Sequence, residues 1–105
     1  MASNRLEVLK TMVSANPEDS FARYGLAMEY VRRGQLQLAA AEFHTLLERD
    51  DRYAAGYYHG GQTMEKLGRL EDARRMYEKG IEVTGRTGDA HTRSELQAAL
   101  DLLPI

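Results

Sequence analysis

Three histidines are the obvious places to look for chemistry, because imidazole is the side chain that most readily ligates metals and moves protons near neutral pH. They stand at His44, His59 and His91, separated by 15 and 32 residues, and none falls in an HExxH, HxxxH or comparable ligand spacing. His44 and Glu48 share a helical face at i, i+4, as many pairs do that bind nothing. His59 adjoins Gly60 and Gly61, but no strand pattern precedes them, so a phosphate-cradling loop is not supported. Cysteine is absent, which excludes disulfides, thiolate catalysis and Cys-rich zinc sites. No serine–histidine or paired-carboxylate motif is present, so the expectation is a protein that is not an enzyme and holds no metal or cofactor.

The remaining residues with functional potential are aromatic and apolar, and their meaning depends on the elements that carry them. Comparing each residue with the one 34 further along reveals an internal repeat. Leu9, Phe43 and Tyr77 fall in one column, and Val13, Leu47 and Ile81 in another. Gly34 pairs with Gly68, Leu36 with Leu70, Ala39 with Ala73, and Tyr24 with Tyr58. Large, small and turn residues each keep to their own columns. Such a period describes stacked helix pairs.

The glycines at 34 and 68 separate two apolar-periodic segments, where a left-handed residue ends one helix and lets the next run back antiparallel. Ala27, Gly61, Ala39 and Ala73 are small residues that permit close helix approach, while Phe43 and Tyr77 fill the space between pairs. Asn16 and Pro17 read as an N-cap followed by proline in the first helical turn. The reading is all-α, with six helices near 4–15, 18–33, 36–49, 53–67, 70–84 and 92–103. Gly56, Gly60 and Gly61 weaken the fourth helix by about 1 kcal/mol each relative to alanine, so it should form only when packed closely on a neighbour.

With these columns in place, the chain resembles the tetratricopeptide repeat family, whose pattern runs Trp-x2-Leu-Gly-x2-Tyr, then Ala-x3-Phe, then Pro. One unit here offers Arg23, Leu26, Ala27, Tyr30, Ala39 and Phe43, with Asp51 at the proline place. The next offers Tyr57, Gly60, Gly61, Met64, Ala73 and Tyr77, with Gly85 at the proline place. The resemblance implies a right-handed stack of antiparallel helix pairs: an N-terminal half repeat at 1–17, repeats at 20–53 and 54–87, and a closing segment at 88–105. In the 34-residue register the small site of Ala27 and Gly61 falls next on Glu95, so the repeat stops. Thr92 to Glu95 has the form of a capping box, and Leu96, Ala99, Leu100 and Leu103 make one apolar stripe, as a solvating C-terminal capping helix requires.

The resemblance further implies that the first helix of each pair lines a concave groove used for binding other proteins. Phe21, Tyr24, Met28 and Val31 form an apolar stripe on the first such helix, beyond the residues that pack its own pair. Candidate groove residues are therefore Phe21, Tyr24, Met28 and Arg32 in one repeat and Tyr58, His59, Gln62 and Lys66 in the next. Tyrosine and methionine give contact area at modest entropic cost. Members that hold the terminal carboxylate of a chaperone tail use groove lysine and asparagine, whereas here Tyr24, Met28 and His59 occupy such places. A protein or peptide with apolar or aromatic anchors is the expected partner. Self-association into a homo-oligomer, or a place in a larger assembly, is the alternative, because so short an array leaves open ends.

The formal net charge of -2, from 14 basic and 16 acidic residues spread along the chain, gives no electrostatic footprint for nucleic acid or acidic membranes. Arg32-Arg33 and Arg74-Arg75 each have acidic neighbours within about a turn. No apolar run approaches the roughly 18 residues of a membrane span, and Met1 to Lys10 does not read as a secretory signal, so a cytoplasmic location is expected.

Overall fold

The computed structural model describes residues 4–105; the part of the expected half repeat that falls on residues 1–3 lies outside the described residues. Six helices follow one another: α1 (Arg5–Ala15), α2 (Ser20–Arg32), α3 (Leu36–Arg49), α4 (Ala54–Lys66), α5 (Leu70–Thr87) and α6 (Ala90–Leu102). No strand occurs among the described residues. Each helix packs on its chain neighbours, and the stack measures 40 × 28 × 20 Å. In addition α2 touches α4, and α4 touches α6, whereas the backbones of α1, α3 and α5 nowhere approach one another within 8 Å. The helices thus form two layers, and the closer spacing of α2, α4 and α6 makes theirs the inner, concave one.

The turns follow from local sequence. Gly34 and Gly68 adopt φ of 74° and 77°, the left-handed conformation that the repeat pattern required of them. A third left-handed glycine, Gly88, ends α5. The start of α2 differs from expectation: Asp19 is its N-cap and accepts from the Ala22 amide at 3.0 Å, while Asn16 and Pro17 belong to the preceding turn. Aspartate is as good a cap as asparagine, and it stands next to the first residue of the apolar pattern.

The end of α5 corrects a second expectation. The helix does not stop near residue 84 but runs through Gly85 to Thr87, because a glycine at the place usual for proline does not block helix continuation. Consequently α6 begins 36 residues after α4, whereas α4 begins 34 after α2. Its cap is Asp89, which accepts from the Thr92 amide at 3.1 Å, rather than the Thr92 capping box. The two-residue shift puts α6 in the place of a first helix. Leu96 is fully buried, Leu103 nearly so, and Ala99 and Leu100 pack beside them, while Gln97 bonds Asp101 on the outer side. The helix docks with the expected stripe inward, in a register that the 34-residue columns do not reach.

Two apolar clusters make the core. Leu26, Ala27, Tyr30, Ala39, Phe43 and Leu46 form one, which α1 covers with Leu6, Leu9 and Val13. Tyr57, Met64, Ala73, Tyr77, Val83 and Leu96 belong to the other. The glycines of α4 work as close-approach sites: a Cβ on Gly61 would stand 2.2 Å from Tyr77 Cε1, and one on Gly60 would stand 2.8 Å from the Met76 sulfur.

Candidate functional site: the inner face of α2, α4 and α6

An aromatic cluster joins α2 to α4 on the inner layer. Tyr24 lies with its ring centroid 5.3 Å from Tyr53, 5.8 Å from His59 and 6.4 Å from Phe43. Tyr58 meets His59 edge-on, centroid to centroid at 5.1 Å. These separations are in the range where aromatic rings attract beyond their area of contact. Burial pushes the Tyr24 hydroxyl pKa up. Burial also lowers the His59 pKa, with Glu95 of α6 opposing that shift and Lys66 adding to it. His59 therefore senses charged groups on its own helix and on the next first helix.

Beside this cluster is a cavity of about 290 Å³ walled by Met28 and Val31 from α2 and by Tyr58, His59, Gln62, Thr63 and Lys66 from α4. Two of its polar groups are already engaged. Thr63 Oγ1 donates to the His59 carbonyl at 2.8 Å, and Gln62 Nε2 donates to the Tyr77 hydroxyl at 3.0 Å. A larger cavity, about 420 Å³, opens between α3 and the α4–α5 connection at Gln37, Ala40, Ala41, His44, Met64 and Arg69. There His44 lies 3.4 Å from Glu48, and Arg69 is paired with Asp72 at 2.8 Å. The inner cavity is the one at which successive first helices converge.

The comparisons with known proteins bear on what this arrangement is. No family model matches the sequence. The tetratricopeptide repeat domain protein of Salinibacter ruber is 40% identical in its solution structure, superposes with a TM-score of 0.80, and is matched over 85% of this chain and 90% of its own. The chain belongs to the tetratricopeptide repeat family. A TPR repeat-containing protein of Pseudomonas aeruginosa is 27% identical over 95 residues, 90% of each chain. YrrB, a TPR protein with an unusual peptide-binding site, is 27% identical with a TM-score of 0.80; the match covers 92% of this chain and 47% of that one.

Within this TPR array the candidate residues divide. Met28, Tyr58, His59, Gln62 and Lys66 meet around the inner cavity. Tyr24 does not line it; its ring is half-buried against Phe43, Tyr53 and His59, which makes it in part a packing residue. Phe21 is 76% exposed and lies outside both the cavity and the core clusters, so it does not extend an apolar floor. Arg32 turns to Glu29, which also binds Arg5 at 3.0 Å and Arg33 at 3.0 Å, and it does not border the groove with Lys66. Among the described residues no group of three histidine, cysteine or acidic side chains gathers as a metal would need. No helix among them is long and apolar enough to cross a membrane.

Sequence reasoning left three residues out of the site. Val31 was legible as the last member of the α2 stripe. Thr63 carries no signal of its own, and Glu95 faces His59 only because of the two-residue shift before α6. The TPR tryptophan place is also resolved: Arg23 is 8% exposed there, its guanidinium 2.8 Å from Glu42 and 3.3 Å from the Pro17 carbonyl. A planar cation with two acceptors thus ties α2 to α3 and to the α1–α2 turn where an aromatic ring would have packed.

Proposed function

We propose that this TPR chain is a non-enzymatic protein- or peptide-binding module, working in the cytoplasm, whose inner face receives a segment with apolar or aromatic anchors. The observation that carries the reading is the cavity shared by two successive first helices, with Met28 and Val31 as apolar walls and Tyr58, His59, Gln62 and Lys66 opposite. Lys66 is the one fixed cation in the lining, which suits an anchor of carbon and aromatic surface better than an acidic terminus. The peptide-binding site of YrrB gives the reading support within the family. Selection of peptides from a displayed random library, followed by amide chemical-shift mapping on the labelled protein, tests it. Sequences rich in apolar anchors and shifts centred on Met28, Tyr58 and Lys66 are expected. Shifts confined to α3 or the end helices would overturn it.

Self-association is a second reading with one observation of its own. The outward face of α1 leaves Val8 55% and Met12 43% exposed, beside a shallow hollow of about 320 Å³ that Asn4, Glu7 and Thr11 complete. A monomer mass in solution across the micromolar range would dismiss it.

A further inference from the structure

The two repeats meet one packing demand with different chemistry. In the first, Phe43 is fully buried over Ala27, and Met28 and Val31 are its companions on α2. At the same four columns the second repeat has Tyr77, Gly61, Gln62 and Glu65. Three of the four exchanges add a polar group, and the fourth removes a methyl. Losing the methyl of Ala27 at Gly61 lets the Tyr77 ring sink into α4, where a Cβ would stand 2.2 Å from Cε1. The added phenol oxygen then finds polar groups where the first repeat has carbon.

That hydroxyl donates to Glu65 and accepts from Gln62 Nε2 at 3.0 Å. A phenol has a single proton. With the proton given to a carboxylate, the oxygen has only lone pairs to offer Gln62, so the amide must present its nitrogen. Burial and the adjacent Glu65 both raise the Tyr77 pKa, which keeps the proton in place. Gln62 Oε1 is thereby turned from Tyr77, on a residue that lines the inner cavity, and the neighbouring Thr63 gives its proton to the His59 carbonyl instead.

We propose that Glu65, Tyr77 and Gln62 form a relay that holds Gln62 Oε1 as a fixed acceptor in the groove, selecting segments that bring a backbone N–H alongside an apolar side chain. The proposal rests on the peptide-binding reading above and names the chemistry it selects. Gln62 is the contact, and Tyr77 is a positioning residue. The first repeat has no counterpart, because Met28 occupies the equivalent place and accepts hydrogen bonds only weakly. The groove is therefore polarised along its length, reading carbon at α2 and an N–H at α4.

The test is a titration cycle followed by amide and methyl chemical shifts. The probes are N-acetyl-leucine methylamide and its analogue with both amide nitrogens methylated, each added to the native protein, to Tyr77→Phe and to Gln62→Met. The native protein is expected to prefer the N–H compound about fivefold, the worth of one net hydrogen bond. In both variants the preference should fall to within about twofold, with helical content kept. Comparing the ratio between proteins removes whatever methylation does to the probe itself. A native protein without preference, or a preference that survives both substitutions, overturns the relay. Gln62→Met restores the first repeat's residue and decides the matter should Tyr77→Phe unfold. Shifts at Met28, Val31 and Tyr58 without N–H preference would sink the relay alone, whereas no shift there with either probe would sink the groove reading together with it.

Discussion

Leu96 of α6 lies directly on Gly80 of α5: a Cβ on the glycine would stand 2.8 Å from Leu96 Cδ1 and 2.7 Å from Tyr57 Cβ. Alanine is favoured over glycine in a helix by about 1 kcal/mol, but overpacking a filled site costs about 1–3 kcal/mol. Gly80→Ala should therefore lower stability. Leu96→Ala should cost about 2–5 kcal/mol, as truncation of a buried leucine does. Combined, the two should cost less than the sum, because the new methyl enters space that Leu96 leaves. Urea unfolding of the four proteins measures the coupling, and strict additivity would contradict the contact.

Glu29 should make the α1–α2 junction acid-sensitive. Its carboxyl pKa is lowered first by the hydrogen bond from Arg33, then by Arg32, against the opposing effect of burial. A depressed carboxylate contributes stability above its unfolded pKa and loses it as the pH falls through the folded one. The loss thus begins below about pH 4.3, the ordinary glutamate value. Because Arg5 of α1 binds the same carboxylate, the amides of α1 should exchange faster in acid before those of α4. Glu29→Gln should flatten that pH dependence, and an unchanged profile would show the cluster to be inert.

His59 titrates in the opposite chemical sense but with the same sign for stability. Burial among Tyr24, Tyr58 and the backbone of α4 favours the neutral ring, so the folded pKa is lowered. Between the folded value and about 6.5 the unfolded chain binds the proton more readily, and stability falls as the pH drops through that interval. An NMR titration of the His59 ring should give a midpoint below 6.5. A midpoint at or above it would mean that Glu95 outweighs burial.

Tyr24 and Tyr58 share a repeat column but not a role. Tyr24→Ala removes a ring that touches Phe43, Tyr53 and His59, and should cost about 1.5–3 kcal/mol of stability. Tyr58→Ala should cost less and instead weaken a groove peptide at least tenfold, the loss of about 1.4 kcal/mol or more. Thermal unfolding beside peptide titration separates the two effects. Equal destabilisation would place Tyr58 in the core with its counterpart.

What the sequence made legible was the geometry written in residue size. The turn glycines at 34 and 68 and the small sites at Ala27, Ala39 and Ala73 keep the roles their columns implied. Phe43 and Tyr77 are fully buried as expected, although the Tyr77 ring sits within its own helix pair, against Gly61 of α4, rather than between pairs. What it hid was geometry written in charge. Arg23 stands at a packing place with no sequence sign of what would neutralise it, and Glu29 reads as a solvated helix residue. Yet both are buried, with partners 19 residues away at Glu42 and 24 away at Arg5 as well as the nearby Arg32 and Arg33. Arg32 has a local partner instead: Glu29, three residues back on the same helix, draws it away from the groove. The register of α6 was hidden differently: a glycine at residue 85 signals a break, and only the packing of Val83 and Thr84 shows that α5 continues past it.

The two layers give the molecule a directional softness. The outer helices α1, α3 and α5 make no backbone contact with one another, so across the outer face successive pairs are joined only where α3 packs on α4 and α5 on α6. The inner layer resists, since α2, α4 and α6 touch. Its weakest seam is between α2 and α4, where Tyr24 reaches over to His59 beside the cavity. A segment inserted at that seam would have to change the angle between the first pair and the second, with the packing of α3 on α4 as the hinge.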